Sequence, residues 1–145
     1  MKKIILFATL SLVAFTSNGC SGSGDEATNV NRITFVVDGL TKVINYVSIN
    51  ASDPSLVSIY GQVGGSTIET IRIDVYKNAT GTGAISEIVF TQDNVEYYSS
   101  IGNNISLNVT ENGADHKIKG TFQGNFKTLS NSGKVIDNGS FKVSY

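Results

Sequence analysis

Between Arg32 and Tyr145 the apolar side chains recur at every second position, in segments rich in Ile, Val, Thr, Tyr and Phe, and helical spacing is missing. Alternation of this kind puts apolar side chains on one face of an extended strand and polar ones on the other, so it predicts strands. Arg32–Asp38 sends Ile33, Phe35 and Val37 to one face, and Asp38-Gly39 supplies a turn. Lys42–Asn50 reads as one strand with Val43, Val47 and Ile49 together, ending before the turn cluster Ser52-Asp53-Pro54-Ser55. Leu56–Val63 follows, with Gly64-Gly65-Ser66 as a tight hairpin connection to Thr67–Tyr76. There Ile71, Ile73 and Val75 oppose Thr70, Arg72 and Asp74.

After the loop Asn78–Gly83, a short strand is predicted over Ala84–Phe90. Val95–Ile101 and Ile105–Glu111 read as two further strands separated by a turn at Gly102-Asn103-Asn104. His116–Thr128 alternates Ile118, Gly120, Phe122, Gly124 and Phe126 against polar residues. Lys134–Ile136 resumes the chain, Asp137-Asn138-Gly139 suggests a bulge, and Ser140–Tyr145 closes with Phe141, Val143 and Tyr145 inward. Gly120 and Gly124, on either side of Phe122, leave space that a facing aromatic fills, with Phe141 the obvious candidate.

Short strands with a turn signal every ~8–12 residues predict an all-β fold, an antiparallel β-sandwich of about eight or nine strands. A small lipocalin-like β-barrel is the alternative. Two sheets about 10 Å apart over a filled core mark the sandwich, and a closed sheet around a ligand cavity marks the barrel. The chain has 145 residues. That length suits one domain, placed at residues 32–145 and large enough to fold without disulfide or metal.

The first residues follow another rule. Lys2 and Lys3 precede an apolar run from Ile4 to Phe15, which fits the core of a signal peptide and is too short to span a bilayer as a helix. Thr16-Ser17-Asn18-Gly19 then leads to Cys20, the only cysteine in the chain. This arrangement resembles the bacterial lipoprotein signal. It implies cleavage after Gly19, residues 1–19 being the leader, and attachment of a diacylglycerol thioether and an N-acyl chain of the palmitate type to Cys20. Several acyl chains anchor firmly where one binds only marginally. Residues 20–31 read as the lipidated Cys and a tether, since Ser21–Asn29 is rich in Ser and Gly and has a root-mean-square reach of roughly 15–18 Å. Asp25-Glu26 looks like the acidic tag that directs Bacteroidetes lipoproteins to the outside of the outer membrane.

Composition narrows the chemistry further. Only 16% of residues are charged and 40% are hydrophobic, which excludes a disordered acidic tail or a basic nucleic-acid arm. Loss of Lys2 and Lys3 leaves nine basic groups against 12 acidic ones, a net charge of −3, so nothing draws nucleic acid or anionic lipid. The membrane is therefore expected as a partner only through the acyl chains on Cys20. One cysteine permits neither an internal disulfide nor a multi-Cys zinc site. His116 beside Asp115 reads as a solvated residue at a strand start, because no nucleophile elbow accompanies it. The expectation is a non-enzymatic protein with no catalytic residue, metal or cofactor.

Tyr97-Tyr98 are adjacent, so one of them must face outward from a strand. With Tyr46, Tyr60 and Tyr76 they suggest a platform for stacking a sugar or peptide, and Tyr97 and Tyr98 are the candidate ligand-binding residues.

Ile118-Lys119-Gly120-Thr121-Phe122 and Asp137-Asn138-Gly139-Ser140-Phe141-Lys142-Val143 resemble the closing strands of small Bacteroidetes lipoproteins. Ile59-Tyr60-Gly61, Gly64-Gly65 and Thr67–Val75 fit the middle strands of that family, so the resemblance covers Ile33–Tyr145. It implies a compact all-β domain behind a lipid anchor and carries over no catalytic or binding residue. The combined expectation is an exported module anchored to the outer membrane, surface-exposed, that binds or supports other molecules. The alternative is a lipocalin-like binder of small ligands or glycans.

Overall fold

The computed structural model describes residues 31–145; the leader expected over 1–19, Cys20 and the expected tether as far as Val30 lie outside the described residues. Nine strands follow one another: β1 (Arg32–Val37), β2 (Leu40–Ile44), β3 (Tyr46–Asn50), β4 (Leu56–Gln62), β5 (Glu69–Tyr76), β6 (Ile85–Gln92), β7 (Val95–Asn112), β8 (Lys117–Lys127) and β9 (Gly133–Ser144). They form a single antiparallel sheet in the order β2-β1-β9-β8-β7-β6-β5-β4-β3. The all-β antiparallel expectation holds. The two ends of the sheet, β2 and β3, are consecutive in the chain and separated only by Asn45. The sheet therefore curls back on itself as a nearly closed barrel.

Asn45 is where the alternation predicted for Lys42–Asn50 breaks. Ile44 is buried at 0% exposure, whereas Val43, expected inside, is 40% exposed. Beyond Asn45 the inward positions are Val47 and Ile49. The phase slips because the chain changes partner. Its first half pairs with β1 (Ile33↔Ile44), its second with β4 (Tyr46↔Gln62). A bend between the halves costs one residue of register, which moves every following side chain to the other face. Gly61 of β4 lies at this seam: a Cβ there would stand 2.9 Å from Ile33 Cδ1 and 3.0 Å from Ile44 Cγ2.

The interior is filled, as a sandwich core would be, although the sheet is one. Phe35 meets Phe90 edge-on at 5.5 Å between ring centroids and Phe122 at 6.1 Å. Phe122 meets Phe141 at 6.4 Å, and Phe90 meets Tyr97 at 6.2 Å. A chain of five rings thus crosses the barrel from β7 to β9, surrounded by Ile and Val from all the other strands. Aromatic pairs at these separations add to the burial of their area.

Two of those rings share a device with two glycines. Gly120 pairs with Phe141 and Phe122 pairs with Gly139 across β8 and β9. Each ring lies over the glycine opposite, since a Cβ would stand 2.5 Å from Phe141 Cζ at Gly120 and 2.5 Å from Phe122 Cδ2 at Gly139. The predicted covering of Gly120 by Phe141 is thereby met. Gly124 differs: its space is taken by Ile105 of β7, whose Cδ1 would be 2.5 Å from a Cβ, and its φ of +144° belongs to glycine.

The bulge expected near Asp137-Asn138-Gly139 is present. Between Gly139 and Ile136 the register of β9 shifts against β8, and between Ser140 and Asp137 it shifts against β1. Asn138 takes φ 51° there. Asp38-Gly39 forms the expected two-residue turn with both φ positive, and Asp93-Asn94 repeats it between β6 and β7.

The turn expected at Gly102-Asn103-Asn104 does not occur. β7 runs through it as a single strand, with register shifts between Tyr98 and Ser106 and Asn104 at φ 54°. Both halves pair with β8, but from Tyr98 to Asn103 β7 advances five residues against two from Lys127 to Asn125, a bulge that takes up the residues expected to turn. Residues Val95–Tyr98 pair with β6, while Val109 instead exchanges hydrogen bonds with Gly81 of the β5–β6 loop at 2.8 and 3.1 Å. Asn112 secures that loop by donating to the carbonyls of Tyr76 (2.8 Å) and Ala79 (3.0 Å).

Candidate functional site

With the interior packed, the polar positions of the strands collect on the outside, and register decides which stand together. Tyr60 of β4 lies opposite Ser48 of β3 and Arg72 of β5, Arg72 opposite Val89 of β6, Val89 opposite Tyr98 of β7, and Tyr98 opposite Lys127 of β8. One row thus crosses six strands. Three strand spacings of about 4.8 Å put the Tyr60 and Tyr98 backbones ~14 Å apart.

Arg72 occupies the middle of the row. Its Nε is 3.1 Å from Asp74 Oδ2 and its Nη2 is 3.4 Å from Glu87 Oε2. Ser100 Oγ donates to Glu87 Oε1 at 2.6 Å, and the Tyr98 hydroxyl donates to Glu96 Oε2. That bond to Glu96, more than desolvation, raises the Tyr98 pKa above the ordinary phenol value, because a phenolate would face a carboxylate. Every carboxylate around Arg72 therefore has a partner within the face. Val89, only 4% exposed, floors a groove of about 210 Å³ whose walls include Tyr60, Gln62, Thr70, Arg72 and Glu96. Thr91 and Glu96 also border a more open cleft of about 530 Å³, which runs between Tyr98 and the β8–β9 turn at Thr128–Ser130.

The two sequence candidates are divided between faces. Tyr98 stands in the outer row, while Tyr97 points inward onto Phe90 and packs against the core. Its outer-face companion is Tyr60, 42% exposed, three strands away. Arg72, Glu87, Glu96 and Ser100 belong to no motif. Their polar places in alternating segments predict outward side chains, but the register that aligns them cannot be read from any one segment. Cys20, the lipidation candidate, lies outside the described residues.

At the opposite rim a recess of about 500 Å³ is lined by Ala51, Lys77, Asn78, Ala114, His116 and Tyr145. Lys77 Nζ donates to the carbonyls of Ala51 (2.8 Å) and Asp53 (2.6 Å), so this cation ties loops together. The His116 ring meets Tyr145 at 5.0 Å, while Asp115 pairs with Lys117 at 2.9 Å. These sequence neighbours turn to different partners. The paired charge with Lys117 holds the Asp115 carboxyl below the usual carboxylate range. Among the described residues no three His, Cys, Asp or Glu side chains gather into a group that could hold a metal. Comparison with models of protein families, with curated proteins and with solved structures finds no match to this chain.

Proposed function

We propose that this protein is an exported, acyl-anchored β-barrel that acts without catalysis, as a module presenting its outer surface for binding. One observation carries the reading: the ring chain Tyr97–Phe90–Phe35–Phe122–Phe141 occupies the middle of the barrel, and the polar grooves lie outside it. A lipocalin-like internal ligand would have to displace those rings from a close-packed core, at a cost of several kcal/mol. The Lys2-Lys3 leader, the apolar run and Cys20 support export and anchoring, and the tether supports a domain held clear of the headgroups.

Membrane fractionation and protease shaving of whole cells test the anchor. The wild-type chain should sediment with the outer membrane and be cleaved from outside, and Cys20→Ala should release it from the membrane fraction. An unchanged membrane fraction in Cys20→Ala would overturn the lipoprotein reading.

A further inference from the structure

We infer that the outer face of β4–β8, centred on the row Tyr60–Arg72–Val89–Tyr98, is a binding groove for a neutral oligosaccharide chain. The inference rests on the proposal that the module binds through its outer surface and gives that binding a site and a ligand class. Its first support is shape. The groove above Val89 and the cleft beside Tyr98 share Thr91 and Glu96, so together they extend from Tyr60 to the β8–β9 turn. A span of ~14 Å between the two tyrosine positions holds a chain of about three pyranose rings, not a single sugar.

The second support is the chemistry of the lining. A sugar ring offers an apolar C–H face and a rim of hydroxyls that both donate and accept. Tyr60 and Tyr98 supply aromatic faces at the two ends, and Val89 supplies an apolar floor between them. Gln62, Thr70 and Thr91 supply neutral groups able to donate or accept. Arg72 with Asp74 and Glu87 forms a polar cluster in which the buried Asp74 Oδ1 has no hydrogen-bond partner, so it can accept from a sugar hydroxyl while Oδ2 keeps its contact with Arg72.

The third support is charge. Around the groove itself Arg72 is the one cation, against Asp74, Glu87 and Glu96, so an acidic glycan is disfavoured there. Single-stranded nucleic acid, which also stacks on aromatic rings, needs a cationic groove that this face lacks. A peptide added as a strand needs an open sheet edge, and β4 to β8 are each paired on both sides.

The test uses the purified full-length chain in a sugar-free detergent. It is titrated calorimetrically with cellotetraose, laminaritetraose, mannotetraose and chitotetraose, and separately with tetragalacturonate and a tetralysine peptide. At least one neutral tetramer should bind saturably, and Tyr60→Ala and Tyr98→Ala should each weaken it by about two- to tenfold. Tyr76→Ala, an exposed tyrosine on β5 outside the row, should leave the affinity unchanged. Thermal melts of all three variants show whether the fold is kept, and a variant that melts early is replaced by Tyr60→Leu or Tyr98→Leu, which removes the aromatic face and keeps bulk. The inference is overturned if no neutral tetramer saturates. It is overturned equally if tetragalacturonate or the peptide binds as tightly as the best neutral tetramer, or if folded Tyr60 and Tyr98 variants keep full affinity. Cys20→Ala should bind the sugar normally, so failure of the anchor and failure of the groove give different results.

Discussion

Gly120 and Gly139 face the two rings of the closing strand pair, and neither can take a side chain without moving backbone. A Cβ at Gly120 would lie 2.6 Å from the Asn108 carbonyl oxygen, and one at Gly139 would lie 2.3 Å from that of Phe122. Side-chain ends can rotate away; paired strand carbonyls cannot. Gly120→Ala and Gly139→Ala should therefore each destabilise the protein by about 1–3 kcal/mol, measured by urea unfolding. A loss below about 0.5 kcal/mol in both would show that the strands part easily and that the Gly–Phe pairing is not what sets their spacing. The Gly-Thr-Phe and Gly-Ser-Phe triplets were legible as strand and turn residues. That they interlock, each Phe over the other's Gly, follows only from the register Gly120↔Phe141 and Phe122↔Gly139.

Among the elements, β9 has the widest consequences. It sits between β8 and β1, and its last residues bring Phe141 and Val143 into the core at 3% and 1% exposure. Asn31, just ahead of β1, clips the same segment, accepting from the Ser144 amide at 2.8 Å. Deleting Phe141–Tyr145 should remove core packing and the pairing partner of Ile33 together, and abolish cooperative thermal unfolding. A truncated chain with the melting temperature of the full one would mean that this end of β9 carries no load. The strands that alternate without interruption, such as β1, β5 and β8, were all readable from period two. β7 was not, because its apparent turn residues Gly102-Asn103-Asn104 are a bulge within one strand that stays paired with β8 on both sides of it.

At the level of the whole molecule, the seam between β2 and β3, the two ends of the sheet, decides whether it is a barrel. Lys42 reaches across it to Glu69 of β5, 2.9 Å from Oε1 with both side chains less than a fifth exposed. Gly61 lets Ile33 and Ile44 close over the same gap. Gly61→Leu should force those two side chains apart and open the seam. Hydrogen exchange would then rise in β2 and β3 while β8 and β9 stay protected. A uniform rise across all strands would instead indicate a global loss of stability with no separate seam. The proposed sugar groove also belongs to this scale, since its two tyrosines are 38 residues apart in sequence and meet in one row only because three strand pairs hold their register.

The sequence by itself determined the class of the fold and the inward faces of the regular strands, because each depends on local order alone, the period-two alternation of apolar and polar side chains. The tertiary structure alone decided that the strands make one nearly closed sheet with a filled interior, that Ile44 replaces Val43 inside, and that Tyr98 shares an outer row with Tyr60 three strands away while Tyr97 enters the core. Each of these depends on which strand lies beside which. Partner choice is settled by contacts between residues far apart in the chain, and the change of partner at Asn45 resets the phase of the strand that follows it.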